Sequence, residues 1–507
     1  MKNISFVLVV CVCACSCGKT FLNQNPTDQL STATFWKTQS DVDMALTGVY
    51  SHLIQGYDYT NSTNTGQGWG AGTPYWESLT DNAFSGAFSN VSIGSIEATT
   101  GTIQSDAYNS SYEAIEDCNI FLANVGKVQL SASVMNQYIG EVRFIRAWYY
   151  FLLAQLYGDV VLTFQPLGDD PATFQLPRTP RAVVIDSVLS DLNFAAANLP
   201  NTSYSGHAVR GTALGYLVKV YLDLQQWQNA MTTAKTIMSE GKFSLYTGGY
   251  RGLFLKPGQN NNPEIMFSGR YQIPNCYSPA DYLYTYSSSF QPMSLLVNDY
   301  ECTDGLPITS SSLYNPSAPY TNRDPRLLAA VLVPGVLYKG GIPFVPAAIG
   351  ASAGFLNKKG VDSTRATVIG TQSDQDWDYL RYADVLLMYA EAENELVGPD
   401  NTVYNAVNAV RGRPSVNMPL LPAGLSQDSM RTRIYHERRI ELALEGQRYF
   451  DLKRWRLDRV IIPAIKDPSG AYRTFPLRDT LWPVPQSEID IANSYGNTGF
   501  KQTPGFD

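Results

Sequence analysis

Apolar residues recur three and four places apart in several stretches of the chain, which is the spacing of a helix with one buried face. The first such stretch is Val42–Leu53, and Ser40 stands where its N-cap is expected. The same spacing predicts helical structure over 112–157, with Gly158 as the terminating residue, and again over 183–199. The pattern therefore predicts a mainly α-helical protein.

The segment Gly211–Gly241 predicts a helical hairpin. Its small and large apolar residues fall on facing sides of two short helices, with a tight turn at Gln225 and Gln226. Such a pair is close to a tetratricopeptide repeat, whose helices stack on neighbouring pairs to bury a shared core. Similar helices are predicted at Tyr379–Val397, Tyr404–Arg411 and Ser426–Trp455. Together these patterns place the helical scaffold at about 40–55, 112–244 and 379–456.

Two long regions between the helical blocks lack this periodicity. Residues 56–111 are rich in Gly, Ser, Thr, Asn and aromatic residues and contain no Lys or Arg. Residues 245–375 are rich in Gly, Pro, Ser and Tyr, with short β-like runs such as Leu327–Val333. Long loops in compact domains are usually functional or disordered. We expect these regions to form a loop-rich ligand face.

The N-terminus has the pattern of a bacterial lipoprotein signal. A short basic start precedes the mostly apolar run Ile4–Val12, which is shorter than the roughly 20 residues of a membrane-spanning helix. Because Ala14–Cys17 resembles a lipobox, residues 1–16 are predicted to be a signal peptide and Cys17 the acylated anchor. The alternatives are a plain secretory signal, or Cys15 as the anchor. Residues 17–507 are expected to form a single domain.

Composition narrows the classes of function. The chain has 37 Lys and Arg against 45 Asp and Glu, a net charge of −8, which argues against nucleic-acid binding. Three histidines and the cysteines left after signal removal, Cys118, Cys276 and Cys302, form no zinc or disulfide pattern. We therefore expect no metal or other cofactor. Aromatic residues make up 12% of the chain, and they suit either packing or recognition of partly polar ligands.

Short motifs occur in one order along nearly the whole mature chain. In the N-terminal half they are Cys17–Leu22, Asn25–Asp28, Ala33–Trp36, Ala45–Tyr50, Tyr75–Glu77, Asp81–Ala83, Arg143–Tyr150 and Leu156–Val160. In the C-terminal half they are Arg381–Leu387, Glu437–Glu441, Glu445–Leu452, Pro483–Ile489 and Pro504–Phe506. Each motif alone is weak. In this order and with this coverage, the chain resembles the SusD/RagB-like outer-membrane lipoproteins.

The resemblance implies a mainly α fold with tetratricopeptide-like helix pairs and a loop-rich face. It also implies a non-catalytic, cell-surface lipoprotein that binds a glycan and delivers it to a SusC-like TonB-dependent transporter. A peptide-binding member of the same family is one alternative. Another is a surface glycoside hydrolase, which needs two carboxylates across a cleft, such as Asp81 with Glu97 or Asp106.

A glycan site needs exposed aromatic faces for the C–H faces of sugar rings, and polar groups for the hydroxyls. That mixture occurs twice in the loop-rich regions, and Phe88 belongs to the first cluster. The predicted ligand-binding residues are Trp69, Tyr75, Trp76, Asp81, Asn82, Phe84, Tyr282, Tyr284, Tyr286 and Phe290. Packing is the alternative role for Tyr75 and Trp76 at a helix end, and for Tyr282–Tyr286 in a half-buried strand or loop.

The segment 437–454 is dense in Glu, Asp and Arg. Each carboxylate has an Arg three or four residues away, the spacing of helix ion pairs, so a structural network is favoured over an acid/base site. His436 begins a zinc-like motif, but Ile440 stands where the second ligand belongs. Asp299–Gly305 is rich in carboxylates, but its spacing is not that of a calcium-binding EF-hand.

Overall fold

The computed structural model describes residues 35–54, 74–86, 94–99, 103–167, 175–278, 281, 290–365 and 373–506. Helices dominate these residues, so the predicted mainly α fold class is confirmed. In the N-terminal half the described helices are α1 (Gln39–Ile54), α2 (Ile103–Asn124), α3 (Ala132–Tyr157), α4 (Arg181–Asn198), α5 (Arg210–Asp223) and α6 (Trp227–Glu240). Further along they are α7 (Ser294–Asp299), α8 (Pro325–Ala330), α9 (Tyr382–Val397), α10 (Asn401–Arg411), α11 (Gln427–Glu441), α12 (Arg448–Arg454), α13 (Asp458–Ile461) and α14 (Gln486–Ser494).

Helix α1 confirms the first predicted helix but not its predicted N-cap. The backbone N–H of Asp41 donates to Thr38 Oγ1 at 3.3 Å, and that of Thr38 donates to Asp41 Oδ2 at 2.7 Å. This reciprocal pair is a capping box, so Ser40 lies in the first turn rather than at the cap. The buried residues of α1 are Val42, Leu46, Val49 and Leu53.

The stretch predicted as helical from 112 to 157 forms two helices, and α2 begins inside a region predicted to be loop. Helix α2 buries polar side chains such as Gln104 and Asn119, so its inner face does not stand out as an apolar stripe in the sequence. Ser131 caps α3 by accepting from the backbone N–H of Val134 at 3.4 Å. Helix α3 ends at the predicted glycine, Gly158, whose φ is 72°.

The hairpin predicted over Gly211–Gly241 is present as α5 and α6. Gln225 has a φ of 55° in the turn, and Gly241 follows α6 in the left-handed conformation that favours glycine. Helix α3 packs on α4, α4 on α5 and α5 on α6, while α9 packs on α6, α10 and α11. This stacking of helix pairs is the tetratricopeptide-like arrangement that the repeat predicts.

Strands are short, and in the described residues they pair in antiparallel twos. The pairs are β1 (Ala83–Phe84) with β3 (Gln291–Pro292), β2 (Ile265–Gly269) with β8 (Trp377–Arg381), β4 (Val331–Leu332) with β7 (Leu356–Asn357), and β5 (Leu337–Tyr338) with β6 (Ile342–Pro343). The β-like prediction for Leu327–Val333 is wrong in its first half, which belongs to α8. Asp324 accepts from the backbone N–H of Arg326 at 2.9 Å, and Pro325 fits the first turn, so a helix begins here.

One large apolar core lies among the stacked helices and includes residues from both predicted loop-rich regions, such as Trp76 and Phe290. A smaller cluster formed by Met293, Ile462 and Ile465 packs against Phe84. Among the described helices, none is both long and apolar enough to cross a membrane.

Candidate functional site

The dense run of charges at 437–454 forms part of a buried ionic network. Arg381 Nη1 donates to Glu264 at 2.5 Å and to Glu441 at 3.1 Å, and its Nη2 donates to Glu445 at 2.7 Å. Arg326 Nη1 donates to Glu441 at 3.0 Å and to a further carboxylate on α11. We call this set, Arg326, Arg381, Arg413, Glu264, Glu437, Glu441 and Glu445, the ionic core; all seven side chains are buried.

The structural role predicted for these charges is confirmed, but the predicted helix-neighbour pairing is mostly wrong. Helix α11 ends at Glu441, and residues 442–447 turn before α12 begins. The carboxylates therefore meet arginines from distant positions, and Asp451 with Arg454, at 2.7 Å, is the pair that keeps i,i+3 spacing. Burial alone would raise the pKa of Glu441, but Arg413, Arg381 and Arg326 outweigh it and lower that pKa to about 2. Glu441 is thus held as a carboxylate.

Asp81, one carboxylate of the pair that the hydrolase alternative would need, is also paired with arginines. Its Oδ2 lies 2.9 Å from Arg439 Nη2 and its Oδ1 lies 3.0 Å from Arg448 Nε. Burial raises its pKa, but the two guanidinium groups outweigh burial and lower it. Glu97 is in turn paired with Arg478 at 2.6 Å. With both oxygens occupied, Asp81 fits a structural anchor better than a proton donor.

Several predicted ligand residues have their side chains in the interior. Trp76 is fully buried, with its ring centroid 5.4 Å from that of Trp482 and 5.9 Å from that of Tyr449. Asn82 is buried and donates to Glu77 Oε2 at 2.6 Å. Phe290 is fully buried as well. In this structure these side chains support the fold from inside and present no surface for stacking, which corrects their predicted placement on an exposed platform.

The other predicted ligand residues divide into two groups. Phe84 is half-buried against the small Met293 cluster, and Tyr75 belongs to the 3₁₀ turn Pro74–Leu79. Outside the described residues are Trp69, Phe88, Tyr282, Tyr284 and Tyr286, together with the predicted anchor Cys17 and signal peptide 1–16.

The pairing of β1 with β3 joins the two predicted platform regions. Phe84 lies opposite Gln291, and the backbone N–H of Met293 donates to the carbonyl of Asn82 at 2.9 Å. Because the strands are antiparallel, the chain leaves β1 at the same end at which it enters β3. The segments that follow Gly86 and precede Phe290 are therefore attached side by side.

A second junction joins the remaining loop segments. The Tyr271 hydroxyl donates to the carbonyl of Ile54, at the end of α1, at 3.3 Å. Ser278 and Ser373 exchange backbone hydrogen bonds of 2.9 and 2.6 Å. The segment that follows Ile54 therefore starts beside Tyr271, and the segments that follow Ser278 and precede Ser373 meet at that pair. We call Ile54, Tyr271, Ser278 and Ser373 the loop-anchor surface.

Beside the loop-anchor surface is an open cavity of about 570 Å³, within the size range of ligand sites. Its lining is Lys256, Pro257, Asn260, Arg270, Tyr271, Gln272, Ile273, Cys276 and Asp374. We call it the rim cavity. The sequence does not predict this cavity because its lining residues follow no motif spacing. A tight turn with hydrogen bonds between Gln272 and Cys276 forms one part of the wall, and residues 256–260 and Asp374 come from other parts of the chain.

The described residues hold no group of three or more His, Cys, Asp or Glu side chains arranged for a metal ion. The His436 ring nitrogen Nε2 lies 2.9 Å from the carbonyl oxygen of Asp299. The carboxylates of the Asp299–Gly305 segment contact protein groups, including Arg439 with Asp299 at 2.9 Å and Arg411 with Glu301 at 2.8 Å.

Comparison with known proteins agrees with this architecture. Residues 254–506 match the SusD family model, and residues 20–222 match a model described as "Starch-binding associating with outer membrane". The chain is 26% identical to SusD-like protein P2 of Formosa agariphila, over 94% of this chain and 95% of that protein.

Solved structures share the fold. A SusD-like carbohydrate binding protein from Bacteroides fragilis superposes with a TM-score of 0.79 at 27% identity, over 90% of this chain and 99% of that one. Surface glycan-binding protein A from Bacteroides fluxus superposes with a TM-score of 0.72 at 17% identity, over 92% of this chain and all (100%) of that one.

The two matched models are both of SusD type. One covers residues 20–222 and the other residues 254–506, so together they include helical and loop-rich regions. The description of the second model associates it with the outer membrane. The chain belongs to the SusD/RagB-like family.

Proposed function

We propose that the protein binds a glycan at the cell surface and delivers it to a SusC-like TonB-dependent transporter in the outer membrane. The observation that carries the proposal is the joining of loop ends at β1–β3 and at the loop-anchor surface. The described residues that precede and follow the segments containing Trp69 and Tyr282–Tyr286 take part in these junctions. Membership of the SusD family and the names of its carbohydrate-binding and glycan-binding relatives support it.

The residue types in these segments suit sugar recognition. Aromatic rings stack on the apolar C–H faces of sugar rings, and amide, hydroxyl and charged groups hydrogen-bond the hydroxyls. Trp69, Tyr282, Tyr284 and Tyr286 are the proposed stacking residues. Asn260 and Gln272 on the neighbouring cavity wall supply amide groups.

Binding without bond cleavage is proposed from the pairing of two carboxylates that the hydrolase alternative would use. Asp81 is held by Arg439 and Arg448, and Glu97 is paired with Arg478. Burial raises the pKa of Asp106 to about 7, but the partner proposed for it, Asp81, is committed to the two arginines. A glycosidase needs one protonated acid positioned opposite a second carboxylate. We therefore propose a binding protein rather than an enzyme.

Attachment to the membrane is proposed to use the acylated Cys17 after removal of residues 1–16. Several acyl chains are needed for stable anchoring, and bacterial lipoproteins carry them. In cells, Cys17→Ala is expected to release the protein from the outer-membrane fraction, while Cys276→Ala leaves it there. Retention of the Cys17→Ala variant in the membrane would oppose this assignment.

The test of the proposed function is a calorimetric titration of residues 18–507 with plant, host and microbial glycans and, in parallel, a peptide mixture. Saturable binding of a glycan, with no new reducing ends by chromatography, supports the proposal. Heat from peptides alone would favour the peptide-binding alternative. Product release, lost in Asp81→Ala, would favour the hydrolase.

A further inference from the structure

The wall of the rim cavity carries more positive charge than its buried carboxylate balances. Lys256 Nζ lies 2.9 Å from Asp376 Oδ2, and Arg270 Nε lies 3.6 Å from the same oxygen. The backbone N–H of Tyr271 donates to the other oxygen, Oδ1, at 2.8 Å. Asp376 is 1% exposed, whereas the Lys256 and Arg270 side chains are 20% and 41% exposed. Two accessible cations therefore share one inaccessible carboxylate.

The donors of both cations are only partly used. The Lys256 ammonium has three N–H groups, and its side-chain partner among the described residues is Asp376, at 2.9 Å. Arg270 donates Nη1 to the carbonyl of Ser205 at 3.3 Å, which leaves Nη2 without a partner among the described residues. Both side chains line the cavity, so these N–H groups are placed to meet a ligand.

The one carboxylate in the lining, Asp374, is paired with Arg365. Asp374 Oδ1 accepts from Arg365 and also from Gln375 Nε2, at 2.7 Å. Arg365 further pairs with Asp281 and Asp362, which do not belong to the lining. Lys256 and Arg270 are thus the cations among the described lining residues, and the carboxylate that they share, Asp376, is buried.

We propose that the rim cavity binds an anionic oxygen group of the glycan, a uronate carboxylate or a sulfate ester, through Lys256 and Arg270. The inference rests on the proposed glycan-binding function and names the class of glycan. Charge-assisted hydrogen bonds to such groups are stronger than neutral ones, and two cations facing one anion add selectivity against neutral sugars. Tyr271, Asn260 and Gln272 supply the remaining contacts to a sugar ring.

The first test compares acidic glycans with matched neutral ones by calorimetry on residues 18–507. Oligogalacturonate is paired with its methyl ester, and a sulfated galactan oligosaccharide with its desulfated form. One acidic ligand is expected to bind about tenfold or more tightly than its neutral counterpart, with affinity that falls as salt is added. The pair that shows the difference tells carboxylate from sulfate.

The second test locates the bound ligand through Cys276. Cys276 lines the cavity and is half-buried, whereas Cys118 and Cys302 are buried. N-ethylmaleimide should therefore modify Cys276 first, as followed by intact mass. The acidic glycan is expected to slow that modification several-fold. Tight binding with no protection of Cys276 would overturn the location.

The third test removes each charge. Lys256→Met and Arg270→Gln are each expected to weaken acidic-glycan binding about tenfold and so to reduce the preference for the acidic over the matched neutral glycan. Arg270→Lys should restore part of the affinity, and Lys127→Met, an exposed lysine elsewhere, should have no effect. If a variant fails to fold, the salt dependence and Cys276 protection of the unmodified protein decide the matter.

The outcomes separate the two proposals. Equal binding of acidic and neutral glycans, without salt dependence, overturns the assignment of the rim cavity and leaves glycan binding in place. No binding of any glycan, acidic or neutral, overturns the proposed function and this inference together.

Discussion

The ionic core and the rim cavity contain the same kinds of side chain but use them differently. In the ionic core, Arg381 is about as buried as its glutamate partners, and it contacts three of them. In the rim cavity, Lys256 and Arg270 are partly exposed and share Asp376. Residue type therefore does not separate structural charges from ligand-binding ones. The distinction lies in the exposure of the cations and in the number of carboxylates that each one contacts.

The aromatic residues show the same contrast. Trp76 packs among Tyr449, Phe450 and Trp482 in the interior. Trp69 is separated from it in sequence by only six residues, between glycines, and is our proposed stacking residue. Replacing Trp76 should therefore lower the free energy of unfolding, whereas replacing Trp69 should weaken glycan binding and leave stability unchanged.

The largest effect is expected from breaking the ionic core. Arg381→Met leaves Glu264, Glu441 and Glu445 without a principal partner in the interior, and removal of one partner of a buried ion pair costs about 3–5 kcal/mol. Urea denaturation measures the loss in the free energy of unfolding. A loss below about 1 kcal/mol would show that the network is not structural.

A similar loss is expected from Trp76→Ala. The substitution opens a cavity in the aromatic cluster and should lower the free energy of unfolding by about 3–5 kcal/mol. Trp69→Ala is the matched variant, with no expected change in stability. If Trp76→Ala left stability intact and abolished glycan binding, Trp76 would be a ligand residue after all.

A smaller effect is expected from pH through Glu77. Burial, only partly offset by Asn82 and the backbone N–H groups of Arg448 and Gln447, raises its pKa from 4.5 to about 7. Because the folded-state pKa is the higher one, the stabilising contribution is complete below pH 4.5 and is lost as pH rises through 7.

The resulting change in the free energy of unfolding is roughly 1–3 kcal/mol between pH 5 and 8. Glu77→Gln should reduce that dependence in urea denaturation curves measured at both pH values. Asp106, whose pKa burial also raises to about 7, acts in the same direction and keeps part of the pH dependence in the variant. An unchanged pH dependence in Glu77→Gln would contradict the assignment.

The smallest effect is expected at a partly exposed ion pair. Arg431, on α11, pairs with Glu395 at 2.5 Å and is 31% exposed. Arg431→Met should lower the free energy of unfolding by less than about 1 kcal/mol, because solvent screens such pairs. A loss as large as that of Arg381→Met would mean that burial does not separate the two classes of arginine.

Local patterns predict much of the helical scaffold. The α5–α6 hairpin, its turn at Gln225 and the end of α3 at Gly158 follow from periodicity and glycine placement. The start of α2 does not, because its buried face includes Gln104 and Asn119. The cap of α1 is missed because Thr38 and Asp41 satisfy each other, which makes Ser40 unnecessary.

The candidate site depends on contacts between residues far apart in the chain. The burial of Trp76 is set by Trp482, and the state of Asp81 by Arg439 and Arg448, more than 350 positions away. Local spacing suggests that the carboxylates pair with arginines of their own helix, whereas in the structure most of them pair with arginines from other parts of the chain. The rim cavity depends on Lys256 and Asp376 meeting, a separation of 120 residues that no motif records.

The most direct test of the central claim is a calorimetric titration of the best glycan into Trp69→Ala, Tyr284→Ala and the control Tyr472→Ala. Tyr472 is an exposed tyrosine, at 65%, away from the loop-anchor surface in sequence. We predict that the first two variants lose about tenfold or more in affinity with unchanged melting temperatures, while Tyr472→Ala binds as the unmodified protein does. Full affinity in both Trp69→Ala and Tyr284→Ala would contradict a glycan platform on the loop-rich face.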